Sequence, residues 1–247
     1  MGGTLQEILE TRAVATPAGE TLPLRDEVSW EEGAFLQSLV AEVRPQASLE
    51  IGLAFGVSAL FICDALAATG GGRHTAIDPL QSELWQDAGR YAVERAGHAD
   101  MFDLIEEPSE LVLPRLVAEG RRFDFAFVDG GHQFDQALVD FFYIDRLLNP
   151  GGVVAFDDAP LPSVYRVCRY VLANRRYTVR ACLPADGATQ RGHGLARRLI
   201  LIPGMHRLLK PSLVVPDEAL GIAPGSRCIA LTKQGEDDRP WDFHAEF

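Results

Sequence analysis

Five short apolar runs, at residues 48–51, 74–77, 101–105, 123–128 and 153–156, alternate with stretches that carry apolar residues at helical spacing. Parallel strands need a crossover long enough to hold a helix, so this alternation restricts the chain to βαβ units around a mostly parallel sheet. The helical stretches fall at 26–43, 57–68, 84–96, 109–119, 134–148 and 163–173. In the first of them Phe35, Leu36, Leu39, Val40 and Val43 form one apolar stripe, and Pro45 stops it. Pro114 is expected to interrupt the helix at 109–119 near its start. Two further runs, at 177–183 and 228–232, bring the strands to seven. The expected fold is α/β, a doubly wound, mostly parallel seven-stranded sheet with helices on both faces.

Charge narrows the partners. The 247 residues carry 35 acids against 23 bases, a net charge of −12, which opposes a general grip on a phosphate backbone. No apolar run reaches the roughly 18 residues of a membrane span, and the first residues lack the basic start and apolar core of a signal peptide. Cys63, Cys168, Cys182 and Cys228 are scattered with no CxxC pair, which suits reduced thiols in a cytoplasmic protein. One stretch runs against the general charge. Between Asp186 and Asp217 there is no acid, while Arg191, Arg197, Arg198, Arg207 and Lys210 make a basic island. It reads as a solvated helix or the contact of a homodimer, or as a lid that meets an anionic substrate.

The first strand and turn, LEIGLAFGVS at 49–58, sit where the ligand crevice of a doubly wound sheet opens. Gly52 and Gly56 allow close approach, but Ala54 and Val57 stand where a dinucleotide fingerprint needs glycine, so an NAD-dependent dehydrogenase is disfavoured. Glu50 would repel a pyrophosphate and attract a cation. Asp78, at the end of the second strand, is placed to accept hydrogen bonds from two ribose hydroxyls. Together they suit a positively charged nucleoside without phosphates.

A second constellation closes the fourth and fifth strands. Asp129 and Asp157 lie 28 residues apart, one strand-helix-strand repeat, so their strand ends converge, with Asp158 beside them. Three neighbouring carboxylates invite a hard divalent ion such as Mg²⁺, which prefers oxygen ligands.

These residues resemble the first motif of class I S-adenosylmethionine-dependent methyltransferases, in particular the catechol O-methyltransferase-like, small-molecule branch. The resemblance covers residues 38–158 and implies a Rossmann-like methyltransferase fold. It implies a domain at 26–235 with an insertion at 184–227, between an N-terminal extension at 1–25 and an acidic tail at 236–247. It implies that Glu50 and Gly52, with Ala54 and Gly56 in the turn, meet the methionyl part of S-adenosylmethionine and that Ser58 contacts its carboxylate. Asp78 would take the ribose, Ser109 and Glu110 would lie along the adenine, and Asp129 would border both cofactor and metal. Asp129, Asp157 and Asp158 occupy the metal-ligand positions of the metal-dependent members. His132 stands where catechol-type enzymes carry a lysine near the reacting hydroxyl, and an imidazole with a pKa near ~6.5 suits a general base. The expectation is methyl transfer to a hydroxyl of a small-molecule acceptor, with no nucleic-acid or membrane partner. The alternatives are a binding module for the same nucleoside without turnover, and a metal-independent methyltransferase.

Overall fold

A computed structural model describes residues 2–25, 27–184 and 215–247. The basic island, Arg191 to Lys210, lies outside the described residues, and so do His193 and His206.

The chain opens with α1 (Gly3–Thr11) and a two-stranded hairpin, β1 (Ala13–Ala15) and β2 (Thr21–Pro23), none of which the periodicity announces. Leu5, Ile8 and Val14 enter the main core, so this segment packs as part of the domain. There follow α2 (Trp30–Val43), β3 (Ala47–Ile51), α3 (Val57–Ala68), β4 (Arg73–Ile77), α4 (Ala88–Arg95), β5 (Phe102–Ile105), α5 (Ser109–Ala118), β6 (Phe123–Val128), α6 (Phe134–Leu147), β7 (Leu148–Phe156), α7 (Pro162–Asn174), β8 (Tyr177–Pro184) and β9 (Ser226–Lys233). The seven-stranded sheet has the order β5-β4-β3-β6-β7-β9-β8. The first five of these strands run parallel, and β9 is antiparallel to both its neighbours. The expected doubly wound sheet is therefore present.

Strand alternation divides the core. Leu49, Ile51, Ala126 and Val128 face α5, α6 and α7, with Phe141, Ile144 and Val167 above them. Phe125 and Phe127 face the other layer, built from α2, α3 and α4. Helix α3 is apolar almost all round because it lies between the sheet and α2, the condition under which a helix needs no polar face.

Two boundaries differ from expectation for local reasons. Helix α4 starts at Ala88 because Gln86 and Asp87 adopt positive φ, 50° and 58°, while Trp85 turns back to meet the Phe55 ring edge-on at 4.9 Å. Helix α5 runs through Pro114 without a break. The bond that proline deletes is the one to Glu110, an exposed residue in the first turn.

Helices α2 and α3 cross closely at Gly33. A Cβ on that residue would lie 2.1 Å from Cε2 of Phe61, itself fully buried. Gly33→Ala therefore sets a gain in helix propensity of about 1 kcal/mol against overpacking of about 1–3 kcal/mol. The expected result is a net loss of stability, read as a lower urea midpoint with unchanged slope.

Candidate active site

The chain passes from β3 outward through β4 to β5 and returns to β6 on the other side of β3. This reversal is the topological switch point, and the crevice opens at the carboxyl ends of the strands there. The ladder continues one residue past each strand. Asp129 N–H donates to the Ile51 carbonyl at 2.9 Å, Gly52 N–H to Ile77 at 2.9 Å, and Asp157 N–H to Val128 at 3.1 Å. Sequence residues expected at the site are thus brought to one rim.

Gly52 has φ +90°, and a Cβ there would lie 2.1 Å from the Asp129 carbonyl oxygen, so the two turns can meet only if this residue has no side chain. Gly56, at φ +76°, is also constrained: a Cβ there would lie 2.8 Å from the Gly89 carbonyl oxygen at the start of α4. Ala54 takes a left-handed φ of 46° between them. Ser58 is buried in the first turn of α3.

Asp78 departs from expectation. Its Oδ2 accepts the N–H groups of Leu53 and Ala54 at 3.1 and 2.8 Å and the Gln81 amide at 3.0 Å, and its Oδ1 accepts the Leu80 N–H at 2.8 Å. Both oxygens hold the turns after β3 and β4 together, a bracing role that the sequence did not show. Ser109 is likewise engaged and donates its hydroxyl to Asp140 Oδ1 at 2.6 Å. Glu110 is exposed on the same turn.

Glu50 is fully buried beneath the turn. Its Oε2 pairs with His74 Nε2 at 3.0 Å, while Oε1 has no hydrogen-bond partner among the described residues. His98 is mostly buried and bonds Asp64 at 2.9 Å, because α3 carries that acid into the α1–α4 layer.

At the ends of β6 and β7 the acids gather around His132. Its Nε2 lies 3.6 Å from Asp129 Oδ1 and 3.5 Å from Asp158 Oδ2. Those carboxylates hold the imidazole above its ordinary pKa, against the effect of burial. Burial pushes Asp129 up to about 7, with Asp157 and Glu50 adding repulsion and His132 opposing them. Asp158 is raised by burial and by Asp157. Its φ of 51° and the start of α7 at Pro162 show that it caps no helix.

The expected three-carboxylate metal centre is not assembled. His132 stands between Asp129 and Asp158, and among the described residues no three ligating side chains are gathered closely enough to hold an ion.

Two residues that the sequence did not single out complete this wall. Glu32 of α2 is fully buried beside Asp157, and its Oε2 lies 3.0 Å from Nε of Arg227 of β9. Burial and Asp157 push it up to about 10, although Arg227 opposes the rise. The S-x-x-E spacing from Ser29 to Glu32 reads locally as a helix cap. Ser29 Oγ does accept the Glu32 N–H at 3.2 Å, but the glutamate side chain turns inward.

The switch-point crevice, the glutamate-led glycine turn and this strand order define a class I methyltransferase fold. Residues 49–159 match the model of a family described as "Methyltransferase domain". Among curated proteins, caffeoyl-CoA O-methyltransferase 1 of Eucalyptus globulus is 32% identical over 153 residues, 57% of this chain and 61% of that protein. Caffeoyl-CoA O-methyltransferase 1 of Arabidopsis thaliana is 32% identical over 154 residues, 57% of this chain and 58% of that protein. The chain thus spans about three fifths of the length of these relatives. An O-methyltransferase from Bacillus cereus, solved in complex with SAH, superposes with a TM-score of 0.61 at 25% identity, covering 75% of this chain and 85% of that one. Cofactor-bound Rv0187 from MTB shares the fold over 95% of this chain and 90% of its own, with a TM-score of 0.64 at 20% identity. Residues 49–159 carry the match to a methyltransferase domain, and the similarity of the chain lies with the O-methyltransferases.

Asp140 provides a check on the electrostatics of the Ser109 region. Burial raises its carboxyl to about 6, with the Ser109 hydroxyl opposing. A folded pKa above the unfolded value means that the folded state holds more protons, so stability falls as pH rises from about 4 to 6. Asp140→Asn should remove about 2–3 kcal/mol of that fall, seen as a flatter dependence of unfolding free energy on pH than the parent shows.

Proposed function

We propose that this chain is an S-adenosylmethionine-dependent O-methyltransferase that moves a methyl group to a hydroxyl of a small-molecule acceptor. The observation that carries the reading is the wall beside Gly52: a basic imidazole, His132, held between Asp129 and Asp158 within the crevice. The similarity to O-methyltransferases supports the same reading.

S-adenosylmethionine would supply an electrophilic methyl group on a sulfonium. Its fit rests on two features of this chain, the buried Glu50 Oε1 without a partner among the described residues and the Gly52 turn that leaves no room for a Cβ. Gly52 to Gly56 would border the methionyl part, and Ser58 its carboxylate. Asp78 would act on the ribose through the turn that it braces. Ser109 and Glu110, at the start of α5, would lie along the adenine.

The His132 imidazole would receive the acceptor's hydroxyl proton as the oxygen attacks the methyl carbon and the carbon–sulfur bond breaks, leaving the neutral thioether. Asp129 and Asp158 stabilise the imidazolium that forms. Most of the acceleration comes from holding oxygen, carbon and sulfur in line.

A divalent cation such as Mg²⁺ is a further part of the proposal, supported by the hard oxygen chemistry of the donors. Asp129, Asp157 and Asp158, which are not gathered around one point here, would have to draw together to hold it, and it would supply acidity to the acceptor hydroxyl. A cytoplasmic location and a homodimer are also part of the proposal, in keeping with the free cysteines and the basic stretch of the sequence at 184–227.

The test is calorimetric titration with S-adenosylhomocysteine, followed by turnover of S-adenosylmethionine against a panel of hydroxylated acceptors. Binding and turnover are expected. His132→Ala should lower kcat about 10²–10⁴-fold with nucleoside affinity preserved. Binding without turnover across the panel would leave the non-catalytic module. EDTA should lower the rate and Mg²⁺ restore it. Equal rates in both would remove the cation and keep the methyltransferase.

A further inference from the structure

Ser48 and His74 face each other across the parallel β3–β4 pair, and Glu50 lies two residues further along the same face of β3. All three are fully buried. His74 Nδ1 is 2.9 Å from Ser48 Oγ, and His74 Nε2 is 3.0 Å from Glu50 Oε2. A carboxylate only accepts, so Nε2–H donates to Glu50, and Nδ1 then accepts from the Ser48 hydroxyl. The Ser48 hydroxyl also lies 3.3 Å from the Arg73 carbonyl, and the Phe102 ring sits 5.9 Å from the imidazole. The chain therefore fixes one oxygen of Glu50 and leaves Oε1 buried without a partner among the described residues.

A buried, unpaired carboxylate oxygen is unfavourable unless a cationic donor reaches it. Glu50 is the penultimate residue of β3, two before Gly52, so its carboxylate stands at the carboxyl end of the sheet where the crevice opens. An alkylammonium offers three donors and a positive charge, which match a single aimed oxygen.

We propose that Ser48 and His74 are positioning residues that aim Glu50 Oε1 at the α-ammonium of the bound nucleoside. This inference rests on the cofactor reading above. The relay holds the carboxylate in one rotamer, so that recognition of the amino-acid end is built into β3 and β4 before any ligand arrives.

The experiment compares two ligands by isothermal titration. S-adenosylhomocysteine carries the amino acid; 5′-methylthioadenosine has the same nucleoside and thioether without it. His74→Phe should weaken S-adenosylhomocysteine about tenfold or more and leave methylthioadenosine within about twofold. His74→Gln, whose amide can still donate to Glu50, should restore most of the affinity. Ser48→Ala should shift the ratio of the two affinities in the same direction by about threefold; being the smaller change, it carries the comparison if His74→Phe does not fold. Equal losses for both ligands, or unchanged affinity for S-adenosylhomocysteine in folded variants, would reduce the relay to core packing and overturn the inference alone. Failure of the parent chain to bind S-adenosylhomocysteine would overturn the cofactor reading, and the inference with it.

Discussion

The hydrogen bond from Asp129 N–H to the Ile51 carbonyl, 2.9 Å, carries the pairing of β3 and β6 one residue beyond both strands, and the site depends on that closeness. It presses the Asp129 carbonyl against Gly52, which leaves glycine as the residue that fits there. It also brings the acidic turn after β6 to the same rim as the turn that precedes α3. A parallel pair at a topological switch point has neighbours that leave in opposite directions, so the rim stays open above it. Function sits there because the backbone leaves a crevice and the register sets which side chains line it.

Acidic side chains then shape the chemistry. Asp129, Asp157, Asp158 and Glu32 share one end of the sheet with two bases, His132 and Arg227. Burial, with repulsion from Asp157 added, raises the pKa values of Asp129, Asp158 and Glu32, and the bond to Asp129 with the nearby carboxylates keeps His132 basic. Lower on β3 the fully buried Glu50 is held by a histidine from β4. Glu50 and the acids at the ends of β6 and β7 thus each have an imidazole partner, His74 and His132.

Much of this was legible along the chain. The sheet, its helices and the strand-end acids followed from apolar periodicity and from the position of each carboxylate after a strand. Strands β3 and β6 and helix α3 were read to within a residue, because each is a short apolar run bounded by turn residues. What escaped were side chains whose local explanation suffices. Glu32 reads as half of a helix cap, and His74 reads as one polar residue at a strand start. Asp78 was placed correctly on its strand end, yet its oxygens brace two loops, since partners 24 and 25 residues away, Ala54 and Leu53, have no signature in its own neighbourhood.

Sequence by itself determined the doubly wound sheet, the glycines of the first turn and the acids that close β6 and β7, because periodicity and strand-end placement are local properties. Tertiary structure decided which acids touch: His132 stands between Asp129 and Asp158 where three carboxylates were expected to converge, Glu32 meets Arg227 across 195 residues, and His74 fixes Glu50. Those pairings depend on register and helix packing between distant segments. Such contacts are set by the shape of the whole core, which no single stretch of the chain encodes.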